Sequence, residues 1–305
     1  MKLPKKIRVR EVGPREGFQI LQETYKTEEK AALIDLLSES GLREIEVTSF
    51  VKPDKVPQMA DAEALVKSIK IKPDIKYTAL YLNPKGFVRA EKSGHLKNDA
   101  WISAACSDTF LEKNSNTTLD QIIKSIPEWL TVFLAANKNL HGVMLSTAFG
   151  CNYEGLISSD KMMVVVDKIM NALGSLGIPL REICLADTVG LANPISIENA
   201  ILAIQSNYPD IYISLHLHDT NGLGLANALR GLQLGIDCFD SSIGGIGGCP
   251  FTKGASGNIS TEDLVFMCHK MGIETDIDPI KLIEAASYLE TTLGIELSTK
   301  YQRIP

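Results

Sequence analysis

HGVMLSTAF (141–149), SDKMMVVVDKIMNALGSLG (159–177) and EICLADTV (182–189) follow one another in the middle of the chain. The first and third are short β-branched runs closed by small or polar residues, which reads as strand. The long segment between them has helical periodicity. Working toward the N-terminus, further strands are expected at 99–106 (DAWISAAC), 75–82 (IKYTALYL), 43–50 (REIEVTSF) and 7–13 (IRVREVG). Toward the C-terminus they are expected at 211–218 (IYISLHLH) and 238–244 (CFDSSIG), and helical segments such as EEKAALIDLLSESG (28–41) separate neighbours. Eight strand–helix units spaced roughly 25 to 40 residues apart describe a closed parallel (β/α)8 TIM barrel better than an open sheet. VGPREG after the first strand has two glycines at a spacing unsuited to a dinucleotide or nucleoside-triphosphate loop. With no repeat of fixed period and no low-complexity linker, one catalytic domain over 1–305 is expected, with extra C-terminal helices on its outside.

The bulk numbers narrow the function. At 305 residues, 45% hydrophobic and 22% charged, the chain can bury a core of its own. A net charge of -6 offers no basic field, which argues against nucleic acid as a partner and leaves any phosphate-bearing ligand to a local cluster. Six scattered cysteines without a CxxC pair argue against a disulfide framework or a zinc knuckle, and so for a reducing compartment. No apolar run approaches the ~20 residues needed to span a bilayer, so no membrane role is expected. The opening MKLPKKIRVREVG shows neither an apolar signal core nor an Arg/Ser-rich leader, and a cytoplasmic location is the expectation.

In a barrel of this kind chemistry gathers at the C-terminal ends of the strands and in the loops that follow. Strand one runs into Gly13-Pro14-Arg15-Glu16-Gly17-Phe18-Gln19, strand two carries Glu46 and ends Thr48-Ser49, and strand six carries Asp187-Thr188. Strand seven ends His216-Leu217-His218. Residues two apart on a strand point the same way, so both imidazoles would face the barrel axis and could share a cation. A pair of hydrogen-bonded core histidines is the plainer alternative. With a carboxylate from Glu16 and a neutral oxygen from Asn258, the donor set suits Mg2+ or Mn2+ better than a structural zinc. Arg15 is either half of a rim salt bridge or a steadying charge for a developing enolate.

After strand eight, GGIGGCPFTKGASGN (244–258) has more glycine than a connector requires, as a lid loop that brings a side chain to a substrate would. Cys249 within it is read as a reactive thiol, whereas Cys106, Cys184 and Cys238 sit in apolar strands and read as packing. Glu46 and Asp187 need a partner or a function if they face inward. Lys55, Lys85 and Lys113 are loop cations that could meet CoA phosphates or simply solvate the surface.

Several motifs together resemble the hydroxymethylglutaryl-CoA lyases, members of the metal-dependent barrels called DRE-TIM metallolyases: VGPREGFQ (12–19), IEVTSFVKPDKVPQMADAEAL (45–65), LNPKGF (82–87), FGCNYEG (149–155), LADTVG (185–190), HLHDTNGLGLANAL (216–229) and GGIGGCPFTKGASGNISTEDLVFM (244–267). The resemblance covers nearly the whole chain, and the last two segments are highly specific. It implies retro-Claisen cleavage of an acyl-CoA thioester, 3-hydroxy-3-methylglutaryl-CoA first, to acetyl-CoA and acetoacetate. The metal ligands it implies are Glu16, His216, His218 and Asn258. Arg15 would steady the enolate, Glu46 would support Arg15 or the ligand set, Cys249 would protonate C2, and Glu16, His218 and Asp187 compete as the base. Arg15, Gln19, Ser49 and Asn83 are the substrate-binding candidates, and a homodimer is implied.

Three positions depart from the family pattern: Glu16 stands where aspartate is usual, Asn221-Gly222-Leu223 replaces Tyr-Gly-Gln, and Ala186 replaces glycine before Asp187-Thr188. They keep open a related lyase for citramalyl-CoA or a longer-branched glutaryl-CoA. A Claisen synthase of a 2-oxo acid and acetyl-CoA, or a barrel that binds CoA without catalysis, stands further back.

Overall fold

All eight expected strands are present, seven of them trimmed within their expected bounds and the fifth begun one residue earlier. In chain order they are β1 (Arg8–Glu11), β2 (Glu44–Ser49), β3 (Lys76–Leu80), β4 (Ala100–Ala105), β5 (Leu140–Ser146), β6 (Glu182–Ala186), β7 (Tyr212–His216) and β8 (Cys238–Ser241). The principal helices are α1 (Gly13–Ile20), α2 (Thr27–Ser38), α3 (Ala62–Ser68), α4 (Pro84–Lys92), α5 (Leu119–Ala135), α6 (Ser159–Ser175), α7 (Pro194–Asn207), α8 (Gly224–Gln233), α9 (Thr261–Lys270) and α10 (Pro279–Ser287). The structure is a computed structural model and describes residues 3–248 and 257–301. It divides into two compact units, Leu3–Asn98 with Asp237–Pro305 (the split unit) and Asp99–Ile236 (the central unit).

In the split unit the strands run parallel in the order β3-β2-β1-β8. The register of β2 on β3 slips between Glu46 and Thr48, an irregularity of the kind that re-aims a side chain beside a working site. Leu33, Ile34 and Leu37 of α2 and Ile45 and Val47 of β2 are fully buried and make the core. Helices α9 and α10 follow the last strand, as the sequence reading expects of the C-terminal region.

In the central unit the parallel order is β7-β6-β5-β4. All five residues of β6 are buried, the continuous burial of a parallel strand covered on both faces. Ile197, Ile201 and Ile204 of α7 lie on one helical face and have no exposed surface. The Asn193 side chain caps α7 by accepting from Ile195 N and Ser196 N, and Pro194 at the first helical position needs no such partner. One feature escapes the sequence reading: Gly150–Cys151 and Gly155–Leu156 form a two-rung antiparallel hairpin after β5. Two residues per arm are too few for alternation to register.

Candidate active site

In the central unit, His216 is the last residue of β7 and His218 lies two residues beyond, outside the strand. The strand ends two residues short of the expected 218, with His218 in an isolated bridge beyond it, and the imidazoles converge. Their Nε2 atoms are 3.2 Å apart and both residues are buried. Two nitrogens each ~2.1 Å from one cation and at right angles around it would be ~3 Å apart, so the spacing fits a shared ion.

Asp187 stands one residue past β6 and is buried. It accepts from Leu191 N at 2.8 Å and Ala192 N at 3.1 Å. Burial pushes its carboxyl up to about 6, against the pull of His218 and of those two amides. Its own amide donates to His216 O at 2.8 Å, so the carboxylate segment is tied to the imidazole strand.

Next to Asp187, the Thr188 hydroxyl accepts from Thr147 N at 2.7 Å, and Thr147 Oγ1 accepts from Ser107 N at 3.1 Å. These three residues follow β6, β5 and β4, so hydroxyls stitch three successive strand ends together. Thr147 has φ 52°, a left-handed conformation that a buried β-branched residue adopts only when its surroundings over-determine it. Glu154, in the hairpin turn, accepts from Ser107 Oγ at 2.6 Å and Thr109 N at 2.9 Å and pairs with Lys161. Burial raises its carboxyl, but Lys161, Ser107 and Thr109 outweigh that and pull it down to about 2. Apart from Thr188, the sequence reading does not single these residues out as functional, because isolated Ser, Thr and Glu carry no spacing signal. Lys113 lies 4.3 Å over the Tyr153 ring and is solvent-exposed.

In the split unit, residues 13–20 are helix rather than the loop expected after the first strand. Pro14 at its start is compatible with helix, because the first turn of a helix needs no amide donor. Arg15 and Glu16 therefore sit on the first turn of α1. The Arg15 Nε donates to Glu46 Oε1, and Arg15 Nη2 lies 3.0 Å from Glu16 Oε2. Burial works against the Arg15 charge, but Glu46 and Glu16 outweigh it and raise its basicity further. Burial raises Glu46 in turn, with Arg15 opposing. An arginine held this way is a fixed cation.

Asn258 is 1% exposed and donates through Nδ2 to Ile246 O at 3.3 Å. Its Oδ1 is buried with no hydrogen-bond partner among the described residues, which is where a cation would be accepted as the missing partner. A Cβ on Gly247 would meet Asn258 Nδ2 at 2.6 Å and Glu16 Cγ at 3.1 Å. Only glycine lets the loop backbone pass between those two side chains.

Below them, Glu11 Oε1 accepts from Gly13 N and Ile243 N, both at 2.8 Å, and Glu262 accepts from Gly244 N at 2.9 Å. Burial pushes Glu11 up to about 7 and Glu262 to about 8. Sequence reasoning passed over both, though Glu11 in IRVREVG is an acid inside an apolar strand, the same signal that drew attention to Glu46.

The remaining candidates are placed as follows. Ser49 Oγ lies 3.4 Å from Gln19 Oε1. Asn83 is exposed and caps α4 by accepting from Gly86 N at 2.8 Å. Lys55 and Lys85 are exposed. Cys106, Cys184 and Cys238 are buried as expected of packing residues, and Cys151 and Cys268 are buried too. Cys249 and the rest of the loop through Ser256 lie outside the described residues.

The sequence matches the HMGL-like family over residues 6–289. The chain belongs to that family. It is 40% identical to the mitochondrial hydroxymethylglutaryl-CoA lyase of Mus musculus over 98% of this chain and 89% of that protein. Among the family's solved structures, the HMG-CoA lyase of Bacillus subtilis superposes with a TM-score of 0.90 at 37% identity, covering 99% of both chains. An HMG-CoA lyase from Acinetobacter baumannii, solved with coenzyme A and 3-methylmalate, gives a TM-score of 0.87 at 36% identity over 99% of this chain and 96% of its own. The expected (β/α)8 barrel is therefore the fold, and the HMGL-like chain is an enzyme of the lyase type. Its relatives carry both mitochondrial and cytoplasmic names. Among the described residues no helix is long and apolar enough to cross a membrane.

Proposed function

We propose that this chain is one catalytic domain that cleaves 3-hydroxy-3-methylglutaryl-CoA into acetyl-CoA and acetoacetate, acting as a cytoplasmic homodimer. The observation that carries the reading is a set of buried nitrogen and oxygen donors with metal chemistry. In the central unit His216 and His218 hold their Nε2 atoms 3.2 Å apart, and the split unit offers the Glu16 carboxylate and the orphaned, neutral Oδ1 of Asn258; these four are the proposed ligands. Nitrogen and oxygen donors without thiolate suit Mg2+ or Mn2+.

When bound, such an ion supplies Lewis acidity that makes the tertiary 3-hydroxyl easier to deprotonate. Of Glu16, His218 and Asp187, the carboxylate of Asp187 is left as the base, because Glu16 and His218 are taken up as ligands while Asp187 is buried on the segment tied to His216. It takes the hydroxyl proton, the C2–C3 bond breaks as the C3 carbonyl of acetoacetate forms, and the bonding pair moves into the thioester as an enolate. Arg15, fixed by Glu46, meets the charge on the enolate oxygen. Cys249 then gives a proton to C2, which completes acetyl-CoA. Gln19, Ser49 and Asn83 are the groups proposed to contact the acyl-CoA.

Glu16 in place of the usual aspartate supports one second reading. A carboxylate longer by one methylene displaces its oxygens by ~1 Å, a shift that matters to catalysis, so citramalyl-CoA or a longer-branched glutaryl-CoA is the next substrate. A coupled assay of acetoacetate and acetyl-CoA release, run with Mg2+, with Mn2+ and with chelator, tests both. Metal-dependent release supports the first reading; silence with that ester and turnover of citramalyl-CoA replaces it. Light scattering on the purified protein checks the dimer, and cell fractionation checks the address.

A further inference from the structure

The segment from Leu297 to Tyr301 is bound to the root of the glycine-rich loop by its backbone. Ser298 N and Thr299 N both donate to Gly244 O, at 2.9 and 3.3 Å. Leu297 and Thr299 are buried. A Cβ on Gly244 would meet Leu297 Cδ2 at 2.6 Å, and one on Gly245 would collide with Ser298 Oγ. These glycines have φ 64° and 69°, so backbone freedom and close approach are both required there.

The segment has its own anchor on α9. Asp263 accepts from Thr299 Oγ1 at 3.2 Å, Lys300 N at 3.1 Å and Tyr301 N at 2.9 Å. The Tyr301 ring packs on Phe266 with centroids 4.7 Å apart. A carboxylate that accepts three donors from consecutive residues holds them as a strap, because each charge-assisted bond fixes the same short piece of chain.

Three residues on from Gly244 the loop backbone reaches the proposed metal donors, at Gly247. Ile246 O accepts from Asn258 Nδ2, and Gly247 passes between Asn258 and Glu16 with no room for a Cβ. A Cβ on Gly245 would also lie 3.4 Å from Asn258 O. Close-packed backbone of this kind moves as a unit, so displacement of Gly244 or Gly245 is passed to Asn258 and Glu16 rather than absorbed.

We propose that Leu297–Tyr301, seated on Asp263, are positioning residues for the metal donors Asn258 and Glu16, acting through the backbone of Gly244–Gly247. This rests on the metal-dependent reading above, and its test therefore carries a readout that needs neither metal nor turnover.

Asp263→Asn removes the charge that holds the strap, and a chain ending at Glu296 removes the strap itself. For each, amide hydrogen exchange reports release at Ser298 and Thr299 and loosening at Gly244–Gly247 and Asn258. Circular dichroism shows whether the barrel is intact, and titration with Mn2+ followed by electron paramagnetic resonance gives ion affinity. The expected result for Asp263→Asn is faster exchange at both places and Mn2+ affinity weakened about tenfold, the scale of losing a residue that orients a ligand. Faster exchange at Ser298 and Thr299 with Mn2+ affinity unchanged would overturn the proposal, since the strap would then be a stabilising tail and nothing more. If Asp263→Asn leaves exchange untouched, the shortened chain decides by the same two criteria. Should the unaltered protein bind no Mn2+, the metal reading falls; the strap then stands or falls on whether its release speeds exchange at Asn258.

Discussion

The central unit and the split unit build their functional groups in different ways. In the central unit the groups stand at strand ends: His216 closes β7, and Asp187 and Thr188 follow β6 directly. Their positions are set by the sheet, and short hydroxyl and amide bonds keep them there. In the split unit Arg15 and Glu16 ride on the first turn of a helix, and Asn258 follows a loop whose glycines are threaded between side chains. Buried carboxylates, Glu11 and Glu262, hold the backbone in place of a sheet. A strand end is rigid at no extra cost, whereas a helix start and a loop must be clamped, and the clamps here are ionisable. Carboxylates also clamp backbone in the central unit, Asp187 at Leu191 and Ala192 and Glu154 at Thr109. Glu11 and Glu262 are raised further than either, to about 7 and about 8, so the split unit should be the one whose geometry answers to pH above neutrality.

The sharpest way to test the helix-borne side is Arg15→Gln. If the guanidinium meets the enolate, kcat falls about 10²–10³-fold, the usual loss for one donor to a developing oxyanion, with KM little changed. A loss confined to KM would instead make Arg15 a ground-state anchor. On the strand-end side, His216→Gln should weaken Mn2+ by at least the ~10–100-fold that lost ligand-orienting groups cost. Circular dichroism should be unaltered, because β7 owes its place to neighbouring strands and not to the imidazole. Unchanged Mn2+ affinity would reduce the pair to core histidines.

The clamps give the next largest effect. Glu11 and Glu262 are raised by burial to about 7 and about 8, so the folded protein binds their protons more tightly than the unfolded chain does. Their contribution to stability is fully present below the ordinary carboxylate range and is lost as pH rises through 7 to 8. Between pH 5 and pH 8.5 the unfolding free energy is expected to fall by a few kcal/mol, on the order set by such shifts. Glu262→Gln cannot ionise, so denaturant melts of this variant across the same range should show a visibly flatter slope. An equal slope would place the pH response elsewhere.

How much of this was legible beforehand follows from the same contrast. All eight strands could be read because each is a β-branched run between polar stops, and the His-x-His pair could be read because the period of a strand is short and strict. The helix at 13–20 was not, since eight residues with two glycines and a proline look like a turn until packing decides otherwise. Glu46 stands out as an acid in an apolar strand, but its partner Arg15 lies 31 positions away in sequence, so the residues alone do not pair them and the link comes from the family resemblance. Thr147, Glu154 and Glu262 act through backbone amides and hydroxyls, and such bonds have no signature in residue type. The strap at 297–301 is a run of unremarkable residues whose meaning lies wholly in what it touches.

Thr147 offers the smallest effect and a direct test of the claim that strand ends in the central unit are over-determined. Its left-handed backbone costs ~1–2 kcal/mol that a glycine would not incur. Its hydroxyl accepts from the buried Ser107 amide at 3.1 Å, and leaving such a donor unsatisfied costs ~1–3 kcal/mol. Thr147→Val keeps the strain and loses the bond, so the full loss should appear. Thr147→Gly loses the same bond but relieves the strain, while the extra freedom of the unfolded chain takes back ~0.5–1 kcal/mol. The melting temperatures should therefore rank unaltered protein, then Thr147→Gly, then Thr147→Val. If valine proves the milder change, the Ser107 amide does not depend on this hydroxyl, and the left-handed turn is held by packing alone.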